Sequence, residues 1–334
     1  MEIAIYQLIF TALLVSTFTD VSGNCIFPDY LRGHWISSSL GEVSFNSTYL
    51  DGITAFTFGK LTFQCEDNNG TKYFLKSETT TFANTKFTAY VCLDLRKVTE
   101  DKIYYYRATT KDKSFDNERI IVTSSTVNVS MEEVCNEPEP YNPGSYSLLI
   151  RSEVLNTSEI TCPNIVRGEY EVTNITKDGT QECPSGISLD VCSVKTHLYF
   201  NISSCSPDIP SATRCMFATE TDNVTYLTVY SDTDNKFRCV AASEEGNTVF
   251  LSQKEGDCSE NQNGTSVAPL GYLMELMLIN NGTAHCREVV TEGPNNDKPT
   301  TTAPPKGGAE AISTKWVIPM IAVLTTFLQF FASL

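Results

Sequence analysis

Two kinds of residue in this sequence are suited to covalent modification: the cysteines, which can form disulfides, and the asparagines of Asn-x-Ser/Thr sequons, which can be glycosylated. The chain of 334 residues has 12 cysteines, all between positions 25 and 286, and nine Asn-x-Ser/Thr sequons lie in the same span. Thiols oxidise and asparagines are glycosylated in the secretory pathway, so the combination indicates an exported, disulfide-bonded glycoprotein. The predicted disulfide residues are Cys25, Cys65, Cys92, Cys135, Cys162, Cys183, Cys192, Cys205, Cys215, Cys239, Cys258 and Cys286. The predicted glycosylation residues are Asn46, Asn69, Asn128, Asn156, Asn174, Asn201, Asn223, Asn263 and Asn281.

The sequence shows none of the familiar motifs for catalysis or metal binding. The three histidines, His34, His197 and His285, form no Cys/His or His-Glu-x-x-His pattern. The sequence has no Gly-x-Ser-x-Gly elbow, and its acidic runs, such as Glu244-Glu245, lack the spaced ligands of a calcium loop. We therefore predict that the protein is not an enzyme, and we assign no catalytic residue, metal site or cofactor.

An apolar segment opens the chain. Ile3–Phe18 is largely apolar, and Val21-Ser22-Gly23 offers small residues where signal peptidase reads them. These features predict a signal peptide over residues 1–23, although Glu2 stands where a basic residue is usual.

A second apolar segment, Trp316–Leu334, closes the chain. At about 1.5 Å per residue a helix of this length reaches roughly 28 Å, which is enough to cross a bilayer. No Lys or Arg follows it, and small residues precede it at Gly307 and Gly308 with a short polar spacer between. This order is typical of a glycosylphosphatidylinositol (GPI) attachment signal. We predict attachment at Gly307 or Gly308 and a location on the outer leaflet of the plasma membrane; a tail-less single-pass helix and unanchored secretion are the alternatives.

The net charge limits the partners. The chain has 24 Lys and Arg against 40 Asp and Glu, a formal charge of −16. Nucleic acids and heparin-like polymers draw their affinity from clustered cations, which the linear sequence does not show. We predict no nucleic-acid partner; the expected partner is an extracellular protein or a small apolar ligand, with the membrane reached through the lipid anchor.

Short runs rich in Tyr, Phe, Thr and Val, such as Leu61–Cys65, alternate with Asn-Gly and Asp-Asn turns, and no long stretch has helical period. The pattern predicts an all-β fold of two disulfide-bonded antiparallel modules, each a sandwich or a small barrel. The predicted division is a signal peptide over 1–23, module 1 over 24–136, a connector over 137–161, module 2 over 162–290, a Pro/Thr stalk over 291–308 and a removed GPI signal over 309–334.

Two pairs of segments suggest an internal repeat. The opening Cys25–Trp35 is echoed by Cys162–Tyr170, and Phe63-Gln-Cys65 by Phe237-Arg-Cys239. The order is the same in both halves but the spacing is not, so the repeat predicts an insertion in the second half that carries Cys183, Cys192, Cys205 and Cys215. The alternative is coincidence among β-rich, cysteine-punctuated segments.

The same motifs resemble a known group of proteins. Cys25-x-Phe-Pro with Leu31-Arg-Gly-x-Trp35, and later Tyr230–Cys239 and Val249–Ser252, are similar to an uncharacterised family of invertebrate extracellular proteins built from cysteine-rich modules of unknown function. The resemblance covers most of residues 24–290. It implies no activity, ligand or functional residue.

A second likeness is confined to the opening of module 1. Gly33-x-Trp35, after a lead-in with Phe27-Pro28, is similar to the opening of lipocalins and other calycin barrels. That likeness implies an interior that holds a small apolar ligand and a Trp35 that plugs one end of the barrel. The alternative is that Trp35 is a core aromatic in a sandwich strand and that Gly33 permits a close approach.

These observations favour extracellular recognition or adhesion, with ligand carriage in a barrel as the rival function. The run Tyr104-Tyr105-Tyr106 has the composition of a contact surface, because tyrosine supplies area at low entropic cost. Successive strand residues point to opposite faces, so at least one of the three must enter the core.

Overall fold

The computed structural model describes residues 25–279 and 286, except 56–57, 83, 178–179, 184–185, 202–208 and 222. The predicted signal peptide, stalk and anchor signal lie outside the described residues, as do Asn281, Gly307 and Gly308. Within the described part of the chain, no helix is long and apolar enough to cross a membrane. Every element described below belongs to one compact unit.

The described residues form two antiparallel sheets, which confirms the all-β prediction. The first sheet contains β1 (Gly33–Ser37), β2 (Gly41–Phe45), β3 (Tyr49–Ala55), β4 (Gly59–Asn69), β5 (Lys72–Ser77), β6 (Thr80–Phe82), β7 (Thr85–Thr99), β8 (Lys102–Arg107), β9 (Ile121–Ser124) and β10 (Ser147–Arg151). The second contains β11 (Glu169–Lys177), β12 (Thr180–Cys183), β13 (Ile187–Asp190), β14 (His197–Asn201), β15 (Ala212–Glu220), β16 (Thr225–Ser231), β17 (Lys236–Glu245), β18 (Thr248–Glu255) and β19 (Tyr272–Leu278).

Helices are short in the described residues. They comprise α1 (Met131–Val134) and the 3-10 helices Asp29–Leu31, Lys113–Phe115, Ser152–Thr157 and Asn164–Val166. The helix α1 begins at a capping box, in which the Ser130 hydroxyl accepts from the Glu133 N–H and the Glu133 carboxylate accepts from the Ser130 N–H.

Each sheet closes on itself, so the modules are barrels and not sandwiches. In the first sheet the order is β5-β4-β3-β2-β1-β10-β8-β7, and β5 pairs with β7 to close a ring of eight strands; β6 and β9 pair with β7 outside the ring. In the second the order is β11-β13-β14-β15-β16-β17-β18-β19, and β11 pairs with β19. Closure leaves no open sheet edge in either ring.

The strand β10 lies within the range 137–161 that the sequence analysis assigned to a connector. It pairs with β1 and with β8, and thereby completes the first ring. The first barrel therefore extends to Arg151.

The two barrels repeat each other strand by strand. Cys25 is bonded to Cys65 on the fourth ring strand, and Cys162 is bonded to Cys215 on the fourth ring strand of the second barrel. A further bond in each barrel joins the sixth ring strand to the segment before the eighth, Cys92–Cys135 in the first and Cys239–Cys258 in the second. A fifth bond, Cys192–Cys286, belongs to the second barrel. The Cα atoms of the five pairs lie 5.0–5.4 Å apart; the side chains of Cys183 and Cys205 lie outside the description.

One predicted correspondence within the repeat is wrong. Phe63-Gln-Cys65 lies on the fourth ring strand and Phe237-Arg-Cys239 on the sixth, so the counterpart of Cys239 is Cys92 and that of Cys65 is Cys215. Cys215 therefore belongs to the repeated framework and not to an insertion. An aromatic residue two positions before a cysteine arises on any strand whose alternate residues face a core, which is why the short motif misled.

Alternate strand residues fill both barrel interiors with apolar side chains. In the first barrel Trp35, Phe63, Leu75, Ile103 and Tyr105 are each at most 1% exposed. The second interior is packed in the same way; its members Tyr170, Leu189, Leu198, Leu227 and Met274 are also at most 1% exposed. Burial of this kind, at about 25 cal/mol per Å² of apolar surface, is the main stabilising term of each module.

Candidate functional site

Trp35 lies at the end of the first barrel where the 3-10 helix Asp29–Leu31 precedes β1. The side chain is fully buried in the first core, and its indole N–H donates to the carbonyl of Leu31 at 2.6 Å. Trp35 thus joins the lead-in turn to the barrel interior and is part of the first core.

Arg151 fastens the same end from β10. Its guanidinium carbon lies 4.6 Å from the centre of the Trp35 ring, and it donates to the carbonyls of Tyr30 at 2.6 Å and Arg32 at 3.0 Å. Gly33 has a φ of 120°, and a Cβ atom there would lie 2.8 Å from an Arg151 nitrogen. The positive φ therefore favours glycine at this position, and a Cβ atom would also displace the end of the Arg151 side chain.

Tyr170 takes the place of Trp35 in the second barrel. It follows the 3-10 helix Asn164–Val166, is 1% exposed, and donates from its hydroxyl to the carbonyl of Ile165 at 3.2 Å. A Cβ atom at Gly168 would lie 2.8 Å from the Tyr170 ring. The two closed ends are thus built alike, as the repeat of the opening motif predicted.

The Tyr104-Tyr105-Tyr106 run forms a contact surface, but its partner is the second barrel of the same chain. Tyr105 is 1% exposed in the first core, and Tyr104 stacks on Phe217 of β15 with ring centres 5.2 Å apart. Tyr146 packs edge-on against Phe217 at 5.2 Å and accepts a hydrogen bond from the Thr228 hydroxyl at 3.0 Å. Aromatic packing therefore joins the two barrels.

Lys102, at the start of β8, adds polar contacts to this junction. Its side chain is buried, and its ammonium donates to the carbonyls of Ser158 at 2.6 Å and Met216 at 2.7 Å. Arg119 of the first barrel pairs with Glu137 of the same barrel at 2.7 Å and also reaches across the junction to Glu260 at 2.7 Å. Hydrogen bonds, aromatic packing and an ion pair therefore join the two barrels.

A solvent-open cleft of about 830 Å³ lies at this junction. Its size falls in the range of small-molecule sites, which favour domain interfaces. The first barrel supplies Ile36, Ser37, Ser38, Ser39, Gly41 and Arg107, and the second supplies Asn235, Lys236, Phe237, Lys254, Glu255, Gly256, Asp257, Cys258, Pro269 and Leu270. The lining thus combines apolar side chains with both signs of charge, which is suited to binding.

Asp257 of the second barrel lines the cleft and contacts the first barrel. Its carboxylate accepts from the hydroxyl of Ser38 at 2.6 Å and from that of Ser147 on β10. Ser147 also accepts from Ser39 at 3.0 Å, and Ser39 is hydrogen-bonded to the Tyr105 hydroxyl. The hydroxyl groups of the first barrel therefore hold a carboxylate of the second.

Burial raises the pKa of Asp257 above its ordinary value, against the opposing effects of the Ser147 and Ser38 hydroxyls, Arg107 and Lys254. Burial also lowers the pKa of Lys254, whose ammonium donates to the Asp257 carbonyl at 2.7 Å. Two desolvated groups of opposite charge thus face one cleft, which is a common feature of functional sites.

We expect Asp257→Asn to stabilise the protein at neutral pH. The folded state binds a proton at Asp257 more readily than the unfolded state, so the stabilisation from protonation is complete below the unfolded pKa and is lost as the pH rises through the folded pKa. The side-chain amide of the Asp257→Asn variant does not titrate, so the variant does not lose this stability as the pH rises. The variant should therefore have the higher Tm of the two proteins at pH 7.

Thermal unfolding of both proteins between pH 4 and pH 8 measures this effect. The two Tm values should converge toward the acidic end, which supplies an internal control. A variant that is less stable than the parent at pH 7 would contradict the assignment of a desolvated carboxylate.

The sequon asparagines differ in exposure. Exposed side chains are found at Asn46, Asn69, Asn128, Asn156, Asn201 and Asn223, whereas Asn174 and Asn263 are half-buried. The Asn174 side-chain nitrogen donates to Glu275 at 3.1 Å, and its side-chain oxygen is buried. The Asn46 oxygen accepts from the N–H groups of Thr48 and Tyr49, and the exposed position leaves the nitrogen accessible.

We expect unequal glycan occupancy at these two sequons. The glycan attaches to the side-chain nitrogen, so Asn174 would have to give up its bond to Glu275, whereas Asn46 would lose nothing. Glycopeptide mass spectrometry of the protein from its native cells should find Asn46 largely occupied and Asn174 largely unmodified. Full occupancy at Asn174 would show that the β11–β19 pairing tolerates the modification.

The sequence reasoning did not identify Arg107, Lys254 or Asp257. Arg107 and Lys254 are charged residues near the ends of β8 and β18, and Asp257 follows β18; only the packing of the two barrels brings the three residues to one cleft. Among the described residues, no group of His, Cys, Asp or Glu side chains is arranged to hold a metal ion. His34 is exposed and His197 stacks on Tyr199, so neither contacts the cleft.

A comparison with known protein families identifies one domain in the chain. Residues 158–273 match the model of a domain of unknown function, DUF7042. The match begins ahead of β11 and ends at the start of β19, so it coincides with the second barrel. It agrees with the likeness to an uncharacterised family. No curated protein and no solved structure matches the chain.

Proposed function

We propose that this protein is a glycoprotein held at the cell surface by a GPI anchor, and that it acts in extracellular recognition or adhesion without catalysis. The observation that carries the proposal is the junction cleft, whose lining includes no sequon asparagine. Filled barrel interiors direct binding to outer surfaces, and glycans on the exposed sequons would leave this surface open. The partner is an extracellular protein; the charge of −16 disfavours nucleic acid.

Leu270 supports a binding role for the rim of the cleft. Its side chain is 87% exposed, and its φ of 58° is one that leucine seldom adopts. Such a conformation costs roughly 1–3 kcal/mol and is found preferentially at functional sites. A large apolar side chain held outward in this way is suited to insertion into a partner surface.

Binding to cells tests the recognition role. The mature protein, displayed multivalently on beads, should bind cells of its native tissue, and Leu270→Asp should reduce that binding by about tenfold, equivalent to about 1.4 kcal/mol. Aspartate tolerates the left-handed backbone, so the variant should fold. Ile26→Asp, at a residue that is 54% exposed on the first barrel, is the matched control. Equal binding by both variants would place the contact elsewhere.

The anchor is tested separately. Treatment of intact cells with phosphatidylinositol-specific phospholipase C should release the protein into the medium. Retention on the membrane would instead favour a spanning helix over residues 316–334.

Carriage of a small apolar ligand inside a calycin-like barrel is the second candidate function. The closure of both sheets favours it, whereas the tightly packed interiors oppose it. Solvent extraction of the purified protein followed by mass spectrometry discriminates the two, because a carrier would yield an apolar compound in stoichiometric amount.

A further inference from the structure

Arg107 lies between the junction cleft and a second cavity beside it. Strands β1 and β8 both pair antiparallel with β10, so they run in the same direction, and Arg107, the last residue of β8, lies at the end of the barrel away from Gly33. The second cavity has a volume of about 550 Å³ and shares Ser39, Arg107, Asp257 and Cys258 with the junction cleft. One arginine side chain therefore faces both cavities.

Arg107 has no hydrogen bond and no ion pair within the part of the chain that the structure describes, although it is half-buried. The other cations that line the two cavities are all hydrogen-bonded: Lys236 to the Glu255 carboxylate, Lys254 to the Asp257 carbonyl, and Lys111 and Arg119 to the Glu260 carboxylate. A guanidinium has five N–H donors. Those of Arg107 are therefore available to a ligand.

Asp257 attracts Arg107 without bonding to it. The two side chains interact electrostatically. Both oxygens of the Asp257 carboxylate, however, accept from hydroxyl groups, one from Ser38 and the other from Ser147. The planar fork of an arginine matches the two oxygens of a carboxylate. A carboxylate supplied by a ligand would give Arg107 the hydrogen bonds that Asp257 does not.

The carboxylates around Arg107 favour a ligand with a single acidic group. Glu255 lines the junction cleft, and Glu118 and Glu260 line the second cavity. A sulfated polysaccharide bound at Arg107 would bring further sulfates close to these carboxylates, and like charges repel. One acidic side chain of a peptide would meet Arg107 alone.

The two cavities differ in the groups that they offer on either side of Arg107. The junction cleft offers apolar side chains, which suit an apolar residue: Ile36, Pro269 and Leu270. The second cavity offers hydroxyl and amide groups, which suit the backbone of an extended segment: Thr54, Asn117 and Ser145. An extended peptide would use both sets of groups.

We infer that the protein partner binds through a segment with one acidic side chain, whose carboxylate accepts from Arg107 while a neighbouring apolar side chain lies against Leu270. This inference rests on the proposed recognition function and adds to it the chemistry of the bound segment.

Selection of peptides from a random phage-display library, on the mature full-length protein, tests the inference. The selected peptides should share an Asp or Glu beside a large apolar residue. Synthetic peptides in which that acid is replaced by its amide should bind at least about tenfold more weakly, the loss expected when a charge-assisted pair is removed.

Arg107→Gln should weaken the acidic peptides by a similar factor. It should weaken the amide peptides much less, because two groups in direct contact have non-additive effects. Arg32→Gln is the matched control, since it makes the same change in the first barrel at a residue that lines neither cavity. Arg107→Gln should keep the parent Tm, because Arg107 has no hydrogen bond to lose; if the variant fails to fold, the amide peptides decide the question on the parent protein.

Four outcomes would overturn the assignment: no selected peptide, selected peptides without a shared acid, additive losses from the two substitutions, or equal binding of the acidic and amide peptides. Binding of heparin that Arg107→Gln abolishes would also overturn it, because Arg107 would then serve a sulfated polysaccharide. In each case, cell binding that Leu270→Asp weakens would still support recognition at the cleft, so the two proposals fail separately.

Discussion

Trp35→Ala is expected to lower the free energy of unfolding by about 3–5 kcal/mol, the usual cost of removing a fully buried large aromatic residue. The variant would leave a cavity at the closed end of the first barrel and would remove the hydrogen bond to the Leu31 carbonyl. It would also leave the Arg151 guanidinium without the ring on which it lies, 4.6 Å away. Guanidinium denaturation of the mature protein, followed by far-ultraviolet circular dichroism, measures the loss.

Two further variants separate the contributions to the loss of stability in Trp35→Ala. Trp35→Phe keeps most of the buried ring but removes the N–H donor, so we expect a loss of about 1–2 kcal/mol. Tyr199→Ala, at an aromatic residue that is 36% exposed on β14, should cost less than about 1 kcal/mol. If Trp35→Ala cost no more than Tyr199→Ala, Trp35 would not be the plug of the barrel.

The position of Trp35 also shows how far sequence reasoning reaches. The strand-like runs and the cysteines were sufficient to predict an all-β chain of two disulfide-bonded modules, whereas Gly33-x-Trp35 supplied only a likeness to calycin barrels. They were not sufficient to choose between a sandwich and a barrel, because both architectures bury alternate residues. That choice depends on the pairing of β1 with β10 and of β11 with β19, which joins segments far apart in the chain.

Charged residues that face inward were harder to recognise. Arg238 shares its strand face with Val240 and Ala242, but the opposite face of β17 is also apolar and buried, so the strand pattern did not show that this arginine points into the barrel. Lys102 had no signal either. Its partners, Ser158 and Met216, belong to the other barrel, and only the packing of the two modules explains its burial.

Lys102→Met is expected to destabilise the junction of the barrels by about 2–4 kcal/mol. Met216 lies at a bulge, where the pairing of β15 with β16 passes from Cys215 to Phe217, so its carbonyl has no place in the ladder. The carbonyl of Ser158 follows a 3-10 helix and likewise lacks a ladder partner. Lys102 donates to both, and methionine would fill the same space without a donor.

Two effects oppose each other in Lys102→Met, and their relative sizes decide whether the variant is more or less stable than the parent. Desolvation of the ammonium, which lowers the pKa of Lys102, is relieved by methionine. Two carbonyl acceptors lose a charged donor, at about 1–3 kcal/mol each, and this loss is the larger because both hydrogen bonds are short. Guanidinium denaturation measures the net change. Hydrogen exchange at the Ile160 amide, which donates to Cys215 at 2.7 Å, reports on the junction itself and should accelerate.

The control is Lys86→Met, which makes the same change at an exposed residue of β7 and should alter stability by less than about 0.5 kcal/mol. A Lys102→Met protein as stable as the Lys86→Met protein, with unchanged exchange at Ile160, would mean that aromatic packing alone joins the barrels. The expected result instead assigns the fixed orientation of the barrels to a buried lysine that pairs two backbone carbonyls outside the sheets. The cleft beside the junction would then depend on Lys102 for its shape. The binding of the protein to cells, which we propose to involve Leu270, should therefore also weaken in Lys102→Met.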